Sequence, residues 1–353
     1  MARIDEYLLE VLKRSGSDLH FMAGDPPRLR QYGELQPLRE PSLDPAFVQE
    51  TLLEIMPRRA QERLAQQDGA DFAYSIPDVA RFRVNVLRHL SGLGAVFRTI
   101  PSKTKTLTEL DMPEAVRSLC RVTNGLILVT GKTGSGKSTT LAAMIDDINT
   151  RIRGHILTIE DPIEFVHQRK SCLISQREVG VHAHSFASAV HGALREDPDV
   201  ILVGEMRDLE TISVAVTAAE TGILVMGTLH TNGAAPTIDR IINAFPADKQ
   251  SQVRTMLSTS LRGVISQQLV PTAGTPGRVA ALEILVNTPA VANLIRQGKN
   301  DQLETVMQSG AVHGMRTMDN ALQLLLDARR ISGKNAYAKA FNKAKFEQYK
   351  GQA

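Results

Sequence analysis

Ile4, Tyr7, Leu8, Val11 and Leu12 recur at helical spacing near the start of the chain. A period near 3.6 predicts an amphipathic helix over 4–14, ended by Gly16. The pattern then changes. Short runs at 18–21, 27–33, 71–76, 80–89 and 92–100 predict strands, with helical stretches between them near 44–56 and 58–67. This is a small mixed α/β domain over 1–100. Residues 101–113, "PSKTKTLTELDMP", are polar, bounded by prolines and without periodicity, and read as a linker.

From 114 apolar strands alternate with helices. Runs at 126–130, 155–159, 199–203 and 223–228 predict strands. Helices follow the first, lie near 185–195 and 208–220, and follow the last. That order predicts a mainly parallel, doubly wound sheet, whose ligand chemistry gathers at the carboxyl ends of its strands. After a strand at 278–286 the chain reads as helical to its end, a region of 288–353. No internal repeat or low-complexity segment interrupts it.

Composition narrows the class. The 353 residues suit two domains, and 42% hydrophobic with 22% charged residues describes an ordinary globular protein. The net charge of +3, from 41 basic and 38 acidic residues, gives little reason to expect nucleic acid. The basic stretch 334–350 reads as a solvated helix face. The two cysteines, Cys120 and Cys172, lie far apart, which excludes a thiolate-rich structural zinc site and suits reduced thiols in the cytosol. Asp5, Glu6 and Glu10 argue against a signal peptide. No apolar run approaches the roughly 18 residues of a membrane span, so membrane association is expected only through a partner.

The stretch "LVTGKTGSGKSTTL" (128–141) brings in the chemistry. Gly131, four residues, then Gly136, Lys137 and Ser138 have the spacing of a P-loop. Gly131, Gly134 and Gly136 let the backbone close into a tight loop whose N–H groups converge on an anion. Lys132, Thr133, Ser135 and Thr139 complete the run of candidate ATP contacts over 131–139. A helix over 137–149 then begins beneath the phosphates and adds its positive end to the attraction. Lys137 is placed to reach the β- and γ-phosphates, and the Ser138 hydroxyl is a candidate Mg²⁺ ligand. "GLILVT" before the loop reads as a buried strand, and the helix after it carries Leu141, Met144, Ile145 and Ile148 on one side.

Three later strand ends carry polar clusters. "HILTIEDPIEF" (155–165) closes on Glu160, Asp161 and Glu164, with Pro162 stopping the strand. A carboxylate there is placed to polarise an attacking water; an ordinary acidic loop is the plain alternative. "DPDVILVGEMRD" (197–208) has the form of a second nucleotide motif, in which Glu205 serves Mg²⁺ directly or through water. Arg207 and Asp208 there are equally compatible with a surface ion pair. Thr228, His230 and Thr231 follow the strand in "VMGTLHTNGA" (225–234), where a polar residue senses the γ-phosphate or a histidine is simply structural. "RFRVN" (81–85) and "VFRTIP" (96–101) supply Arg81, Arg83 and Arg98. These either face water or act as arginine fingers across a subunit interface, a contribution of about 10³–10⁵ in rate.

Together with "GSDLH" (16–20), "ALREDPDVILVGEMRDLETI", "TAAETG" and "VISQQL" (264–269), these motifs resemble the PilT family, the retraction ATPases of type IV pili within the secretion ATPases, over nearly the whole chain. The resemblance implies an α/β protein with an N-terminal PAS-like α+β domain. A RecA-like P-loop ATPase domain with a mainly parallel sheet and a helical C-terminal region follows. It implies a homohexameric ring holding ATP and Mg²⁺ between the two domains. On the same footing Glu164 is the base that activates water, Glu205 the acid that serves magnesium, and His230 the second of a histidine pair. Arg81, Arg83 and Arg98 match basic positions that reach nucleotide from the small domain. The implied setting is the cytoplasmic face of the inner membrane, where the ring turns a PilC-like platform protein alongside paralogous ATPases.

Two positions depart from the family pattern: Ile223 stands where the first histidine is usual, and "AVANLIRQGK" (290–299) has Ala292 and Gln297 in place of an arginine and an acid. The rival readings are an accessory PilU-like retraction ATPase and a PilB- or GspE-like assembly or secretion ATPase. The last two carry a four-cysteine zinc element that two cysteines cannot build. A RecA-like ring on nucleic acid is disfavoured by near-neutral charge and 4% aromatic residues. A nucleotide-gated regulator without turnover is disfavoured by Glu164 and Glu205 together.

Overall fold

A computed structural model describes residues 1–31, 34–77, 79–100, 104–274 and 277–351. The chain divides into two compact units, Met1–Lys103 and Thr104–Ala353.

The first unit runs α1 (Asp5–Lys13), β1 (Asp18–Met22), β2 (Arg28–Gln31), β3 (Glu34–Pro37), α2 (Pro45–Ile55), α3 (Arg58–Gln66), β4 (Gly69–Ile76), β5 (Ala80–His89) and β6 (Gly92–Ile100). Its described strands form an antiparallel sheet in the order β3-β2-β1-β6-β5-β4. Strand alternation sets the two faces. Phe82, Val84 and Val86 of β5 and Ala95 and Phe97 of β6 are buried in one core with Leu8, Val11, Val48 and Leu52 of α1 and α2. The intervening Arg81, Arg83 and Arg98 fall on the other face. Asp44 starts α2 by accepting hydrogen bonds from the Ala46 and Phe47 amides at 2.9 and 3.1 Å, with Pro45 in the first turn. The hydrophobic pattern does not foretell β3, because all four of its residues are exposed. Tyr32 and Gly33 of the strand expected over 27–33 lie outside the described residues.

The second unit runs α4 (Glu114–Leu119), β7 (Gly125–Thr130), α5 (Lys137–Arg151), β8 (His155–Glu160), β9 (Leu173–Glu178), α6 (Phe186–Ala193), β10 (Val200–Val203), α7 (Leu209–Glu220), β11 (Leu224–Leu229), α8 (Ala234–Ile242), α9 (Ala247–Ser260), β12 (Leu261–Pro271), β13 (Arg278–Val286), α10 (Pro289–Gln297), α11 (Leu303–Ser309), α12 (Met318–Asp327) and α13 (Gly333–Lys339). The described strands order as β13-β12-β7-β11-β10-β8-β9. All neighbours are parallel except β12 and β13. β7, β10 and β11 are buried on both faces, which is why they read as unbroken apolar runs. Ile127 and Val129 meet Leu141, Met144, Ile145 and Ile148 of α5 on one face. Leu126, Leu128, Ile201 and Val203 meet Ile212, Val216, Ile238 and Leu257 of α7, α8 and α9 on the other. The C-terminal α12 and α13 close over β12 and β13 through Met318, Leu322 and Ala336.

The reading of 101–113 as a linker needs correction. Residues 101–103 lie outside the described residues. The remainder is part of the second unit, with Leu107 and Met112 buried in the core beneath α5. Two apolar anchors in a polar stretch are too few to show a period. β9 and β12 are likewise not foretold: each carries polar residues in its middle, Ser175 and Gln176 in one, Ser266 and Gln267 in the other.

Candidate nucleotide site

The carboxyl ends of four adjacent parallel strands converge on one edge of the second sheet. Thr130 pairs with Leu229, Gly227 with Val203, and Val203 with Ile159. The segments that follow these strands begin with the P-loop, Gly204–Glu205, the acidic loop after Glu160, and His230. This is where an α/β sheet presents backbone and side chains to a ligand.

The P-loop leaves β7 through Gly131, at φ 140°, and enters α5 through Gly136, at φ 89°. A Cβ on Gly131 would stand 2.3 Å from the Gln267 carbonyl, and one on Gly136 2.7 Å from Gln267 Nε2. Neither site tolerates a side chain, for space as well as backbone angle. Gln267 is the residue the sequence reading missed. It is buried on β12, donates from Nε2 to the Ser135 carbonyl at 2.7 Å, and accepts at Oε1 from Thr140 Oγ1 at 2.7 Å. It thereby fastens the loop and the first turn of α5 to the sheet. The signal in the sequence was its place in "VISQQL" (264–269), quoted for the resemblance without a role for the glutamine.

Lys137 is buried and folds back over the loop, its Nζ donating to the carbonyls of Gly131 at 2.9 Å and Lys132 at 3.2 Å. Burial lowers its pKa, and the Glu205 charge opposes that shift. Lys132, Thr133, Gly134 and Ser138 are exposed on the rim, Thr139 is half-buried, and Ser135 is buried. The Ser135 hydroxyl is buried with no hydrogen-bond partner among the described residues. An orphaned polar group of this kind costs about 1–3 kcal/mol until something pairs with it.

The acids after β8 separate into two kinds. Glu160 is buried and accepts from Thr158 Oγ1 at 2.7 Å, the Glu164 amide at 3.1 Å and Gln176 Nε2 at 3.3 Å. Burial raises its pKa against these bonds. Glu164 itself is exposed. Gln176 of β9 also donates to the Phe165 carbonyl at 2.8 Å and accepts from the His167 amide at 2.8 Å, while Glu178 accepts from the Ile163 amide at 3.2 Å. The loop that carries Glu164 is therefore clamped from β8 and β9 together.

Glu205 follows β10 and meets Arg207 and His230. Its Oε1 accepts from Arg207 Nε at 2.5 Å and lies 2.9 Å from His230 Nε2. A carboxylate oxygen only accepts, so His230 presents a proton on Nε2. Burial pushes the Glu205 pKa up, but the Arg207 hydrogen bond, with the His230 and Arg207 charges, outweighs it and holds the carboxyl below its ordinary value. The expected alternative of an Arg207–Asp208 ion pair gives way to a different division. Arg207 serves Glu205, and Asp208 caps α7, accepting from the Thr211 amide at 2.8 Å. Beyond His230, the start of α8 is held by Ser266, which accepts from the Gly233 amide at 2.8 Å, and by Glu283. The buried Glu283 carboxylate accepts from the Ala234 amide at 2.7 Å and the Met318 amide at 3.0 Å.

Ser138 and Glu205 offer hard oxygen donors, a hydroxyl with no partner among the described residues and a carboxylate held ionised. They fit Mg²⁺. No group of three or more His, Cys, Asp or Glu among the described residues could hold a metal. A magnesium ion here would complete its shell from nucleotide oxygens and water.

The first unit carries the arginines in a row. Register places Arg30, Asp18, Arg98 and Arg83 side by side across β2, β1, β6 and β5, with Arg81 two residues along the same face. Arg98 Nε donates to Asp18 Oδ1 at 2.9 Å. Burial raises the Asp18 pKa, but hydrogen bonds from Ser17 and Arg98 hold it below its ordinary value. Burial lowers that of His20, with the Arg30 charge adding to it. Arg30 was not foretold, since only strand pairing brings it into line with Asp18 and Arg98 on this face.

Comparison with known proteins places these features. A family profile for "Type II/IV secretion system protein" matches residues 1–331. The chain is 51% identical over 337 residues to the type IV pilus retraction ATPase PilT of Pseudomonas aeruginosa, covering 96% of this chain and 98% of that protein. It is 41% identical over 336 residues to the type IV pilus ATPase PilU of the same organism, covering 95% and 88%. A crystal structure of the pilus retraction motor PilT with bound ADP matches at a TM-score of 0.92 and 43% identity, covering 99% of each chain. The chain thus belongs to the type II/IV secretion system proteins and, within them, to the PilT family of pilus retraction ATPases.

Proposed function

We propose that this chain is the subunit of a hexameric motor that hydrolyses ATP to power type IV pilus retraction and twitching motility. The observation that supports the reading is the edge of four parallel strands, whose following segments carry the P-loop, Glu164, Glu205 and His230. On nucleotide binding, Lys137 exchanges the Gly131 and Lys132 carbonyls for phosphate oxygens, and the inward amides of 131–139 receive the rest. Ser138 and Glu205 would hold Mg²⁺, which would neutralise phosphate charge. Glu164, on its clamped loop, accepts a proton from the attacking water. Positioning of this kind supplies most of the catalysis of phosphoryl transfer.

His230 is bonded to Glu205, so a change at that carboxylate reaches the end of β11 and the start of α8. The arginine-rich face supports a role for Arg81, Arg83 and Arg98 toward a neighbouring subunit's nucleotide. In this reading the ring sits at the cytoplasmic face of the inner membrane and turns a PilC-like platform protein. No helix among the described residues is long and apolar enough to cross a membrane. The higher identity to PilT than to PilU supports a principal retraction motor.

The test is turnover by the purified protein. Glu164→Gln is expected to keep ATP binding and lose about 10²–10⁴-fold in rate, the range of a lost general base. Undiminished turnover would remove Glu164 from the mechanism, and turnover that depends on added DNA would favour a nucleic-acid ring.

A further inference from the structure

A second cavity lies in the ATPase unit, lined from the turn at 110–113, from β13 and from α12. Its volume is about 310 Å³, at the lower end of the range for small-molecule sites. Leu110, Met112, Val279, Leu282 and Leu325 supply apolar walls, and Arg316 supplies a charge.

Arg316 is fixed before α12. Its amide donates to the Ile284 carbonyl at 3.0 Å, and its carbonyl accepts from the Ile284 amide at 2.9 Å. The next residue, Thr317, caps α12. The guanidinium, by contrast, has no hydrogen bond or ion pair to any described residue. The other charges on the cavity wall, Arg330 and Asp111, are paired with each other. The cavity therefore carries one uncompensated positive charge beside aliphatic side chains. A half-buried charge of this kind is costly unless a counter-charge joins it. Burial is also what lowers the Arg316 pKa, with no anionic neighbour acting against it.

We propose that this cavity binds a small carboxylate with an apolar body, its anionic head on Arg316 and its body against Met112, Val279 and Leu282. Charge balance favours a monoanion, since a phosphate monoester brings about 1.5 to 2 negative charges near neutral pH. The planar fork of an arginine also matches a carboxylate in two parallel hydrogen bonds. An occupant touches the turn at 110–113, the segment through which the chain enters the ATPase unit. This site shares none of its named residues with the nucleotide site.

The experiment measures benzoate and hexanoate binding to the full chain by ligand-observed NMR. Excess ADP is present to keep the probes off the P-loop, and benzamide serves as the uncharged control. Saturable benzoate binding, about ten-fold or more tighter than benzamide, is expected from a charged hydrogen-bond pair. Arg316→Gln is expected to erase that preference and Arg316→Lys to keep part of it, both with unchanged ADP affinity. Three results overturn the proposal: no saturable carboxylate binding at millimolar probe, equal binding of benzoate and benzamide, or undiminished binding by Arg316→Gln. Should Arg316→Gln fail to fold, the acid-to-amide comparison on the unaltered chain decides alone.

Discussion

Gln267 holds two parts of the phosphate grip at once, the Ser135 carbonyl and the Thr140 hydroxyl. Gln267→Leu keeps the volume and leaves both groups unpaired in the core, at about 1–3 kcal/mol each. The variant is expected to melt at lower temperature and to bind ATP about ten-fold more weakly, measured by calorimetry. Glu283 makes a different prediction. Burial raises its pKa above the ordinary value of about 4.5, so the fold favours its protonated form. The associated stability is full below the ordinary value and is lost as pH rises through the raised one. Glu283→Gln is expected to remove this contribution, making the change of melting temperature with rising pH more positive than in the unaltered chain, while Glu160, also raised, and His167, lowered, act alike in both. A slope identical to that of the unaltered chain would contradict the assignment. At this scale the sequence offered the P-loop run 131–139 as the candidate grip, because its spacing along the chain is itself the signal. It did not reveal Gln267 or Gln176, whose partners lie 132 and 16 residues away.

The strand–loop–helix of β7, the P-loop and α5 was legible because an apolar run, a glycine spacing and a helical period follow one another without a gap. β9 was not, being an edge strand with three half-buried polar residues, Ser175, Gln176 and Arg177. Its role is to clamp the acidic loop from the side. Gln176→Leu removes the bonds to Glu160, the Phe165 carbonyl and the His167 amide, and leaves the P-loop intact. The expected result is a kcat lowered about ten-fold or more with little change in KM for ATP, since misplacement of a catalytic group by about 1 Å can cost 10²-fold. Equal changes in both constants would mean that the loop matters for binding instead. The 104–113 segment teaches a similar lesson: two buried side chains, Leu107 and Met112, dock it without leaving a period to read.

The two-unit organisation was legible from the change of pattern near residue 100, because an antiparallel sheet and a parallel one impose different periods on the chain. The arginine row was legible only in part. Arg81, Arg83 and Arg98 stand in strands that the pattern finds, whereas Arg30 joins them through β2–β1 pairing alone. Their placement on one sheet face, with Asp18 as the acid in the row, suits delivery of positive charge to a phosphate supplied by another subunit. The proposed ring would do mechanical work only if each grip binds and releases ATP in turn, so the loss of one lysine should stop movement without stopping fibre assembly. The measurement that tests this most directly is the surface pilus count and twitching of cells whose only copy of this chain carries Lys137→Ala. Many pili with no movement is the predicted result. Absent pili would make this chain an assembly ATPase, and normal pili with normal movement would mean that another protein drives retraction.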